Sequence, residues 1–234
     1  VFENLHRGIT GEVKQPLIEN LSEWKEKLVA PVDILPEDEA AAIRTVNEAY
    51  ARTDRFMMAS STTPRPWERY QFLRGTVNAM MDVMDVDRNV QGILRTVHEF
   101  YLREIEFWCR TDVDGITFVD DWGSQQALLI PPPVWREVFK PMYREYCDLI
   151  HEADKSAFMH SNGYIQEIYP DLAEIGVDAI GSQVSCMDMD WLKEEMQGKI
   201  TFWGEVDRQH VLPSDNPADG VARSEERRVG KECA

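Results

Sequence analysis

"SAFMHSNGYIQEIYPDLAEIGVDAIGSQ", Ser156 to Gln183, decides the architecture. A short apolar run, "SAFMH", gives way to Ser161, Asn162 and the turn residue Gly163. The stretch "YIQEIYPDLAEI" then reads as a helix, and a second apolar run, "VDAIGSQ", follows it. Short apolar strands separated by helices are the signature of parallel strands covered by helices. The pattern continues downstream with a helix, "MDWLKEEMQ", and a strand, "KITFWGEVD". Upstream, "DGITFVDDWG" holds a buried strand over Ile116 to Val119. A helix, "VWREVFKPMYREYCDLIHEA", leads on from it, and Pro141 should kink or break that helix.

Further upstream the spacing predicts helices over residues 66 to 84 and 87 to 110, preceded by a strand in "RFMMASSTT". "PEDEAAAIRTVNEAYARTD" reads as a helix opened by Pro36, with acids in its first turn. "NLSEWKEKLVAP" reads as a short helix with Ser22 as N-cap and Pro31 as stop. The first stretch, "VFENLHRGITGEVKQPL", reads as loop or hairpin.

The five expected strands finish in Ser60-Ser61, Asp120-Asp121, His160, Gln183 and Glu205. Polar groups at the carboxyl ends of successive parallel strands are how a (β/α)8 barrel builds its site. A doubly wound sheet also binds at carboxyl ends, but no G-x-G-x-x-G follows any strand here. The expected fold is therefore α/β, a (β/α)8 TIM barrel. Five strands where eight are needed, and a start at Val1, give the expectation of a fragment lacking N-terminal and C-terminal parts. The expected barrel domain spans 1–222. Residues 223–234 are set apart, because "RSEERRVGKEC" resembles an in-frame translation of a sequencing-library adapter.

Composition narrows the function classes. The chain has 234 residues, 43% hydrophobic and 29% charged, which is enough for one sizeable core. A formal charge of −17 with no local basic patch excludes nucleic acid as the expected partner. No run of about 18 apolar residues is present, so no membrane span is expected. Cys109, Cys147, Cys186 and Cys233 form no CxxC pair, in keeping with a reducing, cytoplasmic setting.

The combination D-D-W-G (Asp120 to Gly123), F-K-P-x-Y (Phe139 to Tyr143), H-S-x-G (His160 to Gly163) and D-L-x-E-I-G-V-D (Asp171 to Asp178) resembles the uroporphyrinogen decarboxylase superfamily. That resemblance implies a (β/α)8 barrel and two kinds of chemistry, porphyrinogen decarboxylation and corrinoid-linked methyl transfer. In the methyltransferase branch the strand end resembled here carries His-x-Cys, and both side chains hold zinc. His160 matches, but Asn162 stands where the cysteine would be, and an amide is a poor zinc ligand. A zinc held in part by His160, a metal-free proton donor or hydrogen bonder at His160, and a purely structural histidine all stay open.

The other candidates follow from strand-end position. Of Asp120 and Asp121, one faces the mouth as acid or base while the other caps a helix or orients a loop, because adjacent strand residues point to opposite faces. Glu205 is a candidate base, metal ligand or clamp. Asn162, Gln183, Trp122, Ser60 and Arg65 are candidate substrate contacts, Arg65 because guanidinium groups suit carboxylates. The expected activity is methyl transfer between a small methylated compound or thiol and a corrinoid borne by a partner protein. The alternatives are cofactor-free decarboxylation of uroporphyrinogen in porphyrin biosynthesis, and a non-catalytic barrel that binds a corrinoid or tetrapyrrole. A homodimer stays open as a further partner.

Overall fold

The protein is described by a computed structural model covering residues 2–3, 12–29, 35–59, 64–208, 210–214, 216 and 218. Strands β1 (Phe2–Glu3) and β2 (Glu12–Val13) pair antiparallel, the hairpin alternative for the first stretch. The main sheet has five strands: β3 (Met58–Ala59), β4 (Gly115–Val119), β5 (Ser156–Ser161), β6 (Ala179–Ser182) and β7 (Thr201–Gly204). Their order is β3-β4-β5-β6-β7, and every pair is parallel. Each strand lies beside its predecessor in the chain. A doubly wound sheet reverses its strand order at a switch point, and this sheet does not. It is built as the wall of a barrel.

Helices cover one side of that wall. The long α5 (Arg88–Cys109) starts at Asp87, whose carboxylate accepts the N–H groups of Asn89 and Val90. It packs on α7 (Lys140–Glu152) through Ile93, Val97, Tyr101 and Ile105, which are buried with Tyr143, Tyr146 and Ile150. The predicted break near Pro141 is present. The segment forms α6 (Pro132–Val138) and α7, with Pro141 in the first turn of the second helix, where its missing N–H costs nothing.

The remaining helices are α1 (Trp24–Lys27), α2 (Glu39–Tyr50), α3 (Pro66–Arg74), α4 (Thr76–Asp82), α8 (Tyr169–Glu174) and α9 (Met189–Met196). Two details differ from the sequence expectation. The span 66 to 84 is two helices, because the chain turns at Gly75 with φ +76°. The cap before α1 is Asn20, not Ser22: the Asn20 side chain accepts the Ser22 N–H at 3.1 Å and opens a 3-10 turn over Leu21–Glu23.

Side-chain parity fixes which way each strand residue points. Along β5, Ala157, Met159 and Ser161 are buried against the helices, while Phe158 and His160 are only partly covered. The register carries this parity across the sheet. Thr117 and Val119 pair with Phe158 and His160, which pair with Ala179 and Gly181, which pair in turn with Thr201 and Trp203. These residues share the inner face. Ile116, Phe118, Met159 and Ile180 face outward into the helical core and are fully or nearly fully buried.

Candidate functional site

Extending the inner-face parity past each strand end brings five residues to one rim: Asp121 after β4, His160 and Asn162 at β5, Gln183 after β6 and Glu205 after β7. Hydrogen bonds tie most of them together. Asp121 accepts the Asn162 N–H at 3.0 Å and the Asn162 amide group at 3.0 and 2.9 Å. The other end of that amide, Oδ1, accepts from Arg208 Nη2 at 2.6 Å. Arg208 Nε donates to Glu205 Oε2 at 2.8 Å, and Nη2 shares the same oxygen. Glu205 Oε1 stands 3.8 Å from His160 Nδ1. Gln183 Oε1 accepts the Gly163 N–H at 3.0 Å, which binds the next strand end to the β5 loop.

His160 and Glu205 are partly open, with side chains 28% and 26% exposed. The imidazole has room because its neighbour on β6 is Gly181, where an added Cβ would sit 3.2 Å from His160 Nδ1, a tight approach. Two glycines lock the loops beneath the rim. Gly163 has φ +75°, and a Cβ there would overlap the Gly123 carbonyl. A Cβ on Gly123 would overlap the Tyr164 backbone. The closing glycines of D-D-W-G and H-S-x-G are therefore the crossing point of two chains.

Asp120 is not at the rim. It is fully buried on the outer face and accepts the Trp67 N–H (2.7 Å), the Glu68 N–H (2.8 Å) and the Tyr143 hydroxyl (2.7 Å). It caps the start of α3 from a neighbouring strand, the second of the two roles open to the pair. Burial pushes its carboxyl pKa up, against three hydrogen-bond donors that pull it down. Its full burial and three donors put it behind the sheet, away from the rim where a catalytic acid was expected.

Trp122 is likewise corrected from substrate contact to core. It is fully buried, stacked on Trp67, edge-on to Phe139, and donates its indole N–H to Tyr143. D-D-W-G and F-K-P-x-Y thus meet at Tyr143. Arg65 stands at the N-cap position of α3 with Nη1 3.4 Å from Glu68 Oε2. Ser60 lies outside the described residues, as does the adapter-like tail, residues 223–234.

Two groups at or beside the rim do not follow from strand-end reasoning. Arg208 lies in the loop after β7, and its only sequence signal is a charge three places beyond Glu205. Glu68 reads as an ordinary helix-start residue, yet burial and then the charge of Asp121 raise its carboxyl pKa, while Arg65 and Arg69 pull it down. The remaining described histidines have structural partners. His98 bonds Tyr146 and Glu145, His151 pairs with Asp178, and His210 pairs with Asp207.

The donors gathered among the described residues do not by themselves fit a zinc ion. Among the described residues no group of three or more His, Cys, Asp and Glu is gathered to hold a metal. His160 and Glu205 offer two donors. Asn162, the position of the second ligand in the resemblance, has both ends of its amide engaged by Asp121 and Arg208. A guanidinium already lies between Glu205 and Asn162, so a second cation there would be repelled. The Cys186 thiol lies 3.8 Å from Gln183 Oε1 and faces that side chain.

The family model described as Uroporphyrinogen decarboxylase (URO-D) matches residues 8–225. No curated protein matches the chain. Among solved structures, the fold is similar to that of a methyltransferase from Methanosarcina mazei, with a TM-score of 0.63 at 15% identity. That match covers 88% of this chain and 58% of the other, so the chain spans a little over half the length of its structural relative.

Proposed function

The chain belongs to the uroporphyrinogen decarboxylase (URO-D) family, and from that premise we propose that it is an enzyme of methyl transfer between a small methylated compound, or a thiol, and a corrinoid carried by a partner protein. The observation that carries this reading is the pairing of His160 with Glu205 across the rim, at 3.8 Å, beside an Asn162 fixed by Asp121. The methyltransferase of similar fold supports the same choice within the family.

The chemistry asked of this chain is modest. A thiol acceptor must give up its proton as the new sulfur–carbon bond forms, and His160 would take that proton. The methyl's bond to the corrinoid breaks in the same step, its electron pair staying with the corrinoid. Glu205 beside Nδ1 stabilises the imidazolium that results. In the opposite direction the same imidazole returns the proton to the departing thiolate. Asp121 and Gln183 hold the loop after β5, which carries Asn162 and Gly163, beside that imidazole. Among the described residues no helix is long and apolar enough to cross a membrane.

The test is methyl transfer from methylated cobalamin to a small thiol by the full-length protein, followed by the corrinoid absorption change. His160→Ala should lower the rate by about 100-fold or more, and Glu205→Gln by about tenfold at neutral pH. Release of carbon dioxide from uroporphyrinogen with no methyl transfer would replace this reading with decarboxylation, the activity in the family's description.

A further inference from the structure

Arg208 is the one cation that the structure weaves into the hydrogen-bond network of the rim among the described residues, and its bonds are unevenly used. Nε and Nη2 are committed to Glu205 and Asn162, on two different strand ends. Among the described residues nothing accepts from Nη1, and the side chain is 42% exposed. The guanidinium plane is therefore fixed through Nε and Nη2, which leaves Nη1 without an acceptor among the described residues.

The neighbouring carboxylates are already occupied. Both oxygens of Asp121 take N–H groups of Asn162, and Glu205 Oε2 takes two from Arg208. The two carboxylates outnumber the one guanidinium, so an anion gains here from the directed Nη1 donors and not from a positive field.

We propose that Arg208 is the docking cation of this rim, and that the small molecule handled there carries a carboxylate which pairs with the open Nη1 edge. The proposal takes from the preceding section only that the rim is a ligand site and does not depend on which reaction follows. A planar guanidinium held in place matches a planar carboxylate, and charge-assisted bonds of this kind are about twice as strong as neutral ones. The carboxylate end of the ligand is thereby anchored beside β7. Glu205, which holds Arg208, also stands 3.8 Å from His160 Nδ1, so the imidazole is the next group along the rim from the anchored end.

Calorimetric titration of the full-length protein with mercaptoacetate and with its neutral amide, mercaptoacetamide, tests the proposal. The acid should bind at least about tenfold more tightly than the amide. Arg208→Gln should remove that preference, and Arg208→Lys should restore only part of it, because an ammonium offers charge without the fork. Equal affinity for the two probes, binding of neither, tighter binding of inorganic phosphate than of mercaptoacetate, or an undiminished preference in Arg208→Gln would each overturn it. If Arg208→Gln fails to fold, the wild-type comparison of acid and amide still decides. Methyl transfer without a carboxylate preference sinks this proposal and leaves the reaction standing, whereas a carboxylate preference without methyl transfer does the reverse.

Discussion

Asp120 and Asp121 are neighbours in the chain with opposite employment. Asp120 satisfies three buried donors behind the sheet, and Asp121 fixes Asn162 in front of it. Asp120→Asn puts an amide N–H against groups that themselves donate, so it should destabilise the fold by roughly 2 kcal/mol or more in urea unfolding. Asp121→Asn should leave the unfolding midpoint nearly unchanged and weaken ligand binding at the rim, read by the same calorimetry. Gly163→Ala combines a left-handed φ with overlap on Gly123 and should cost about 2–4 kcal/mol. An alanine there that unfolds like wild type would refute the crossing-point reading. Strand parity makes it legible from sequence that the two aspartates must part company. Which of them turns inward is not legible, because that depends on the α3 N-terminus, a contact 53 residues away in the chain.

At the scale of elements, strands are easier to read than helix breaks. A strand of a parallel sheet is a short apolar run with polar ends, and each predicted strand that lies within the described residues is present. The α6–α7 break is announced by Pro141. The α3–α4 break has Gly75 as its one signal, a lone glycine between two helical stretches, which is weaker punctuation than a proline.

A charged seam joins α6 and α7 to α8. Lys140 bonds Asp171 and Glu174, Arg136 bonds Asp171, and Arg144 bonds Glu174. Lys140 first, and Arg144 with it, hold the Glu174 carboxyl below its ordinary value. Its folded pKa is lower than its unfolded one, so its contribution is present above the ordinary carboxylate range and is lost as pH falls through the folded value. Thermal melts between pH 7 and pH 3 should therefore show a smaller acid loss for Glu174→Gln than for wild type. Equal losses would mean the seam is idle.

For the whole molecule, five parallel strands and their helices bury one face of the sheet and leave the other partly open. Trp203 is 51% and Phe56 57% exposed beside the inner face, with Phe158 packed between them. The polypeptide 1–234 on its own should therefore bind an apolar dye and melt over a broad range, and a sharp cooperative transition would refute this. The candidate rim was readable from strand ends as far as Asp121, His160, Asn162, Gln183 and Glu205. Arg208 was not, because a loop residue has no period to betray its direction.

The bonded chain from Asp121 through Asn162 and Arg208 to Glu205 also has an entropic consequence. Ordering a long, rotamer-rich side chain on binding costs about 0.5–1.5 kcal/mol, and here folding has already immobilised Arg208, Asn162 and Glu205 before a ligand arrives. A ligand received by such a rim gives up mainly its own freedom, so its affinity is set by what it carries and little by what the protein must surrender.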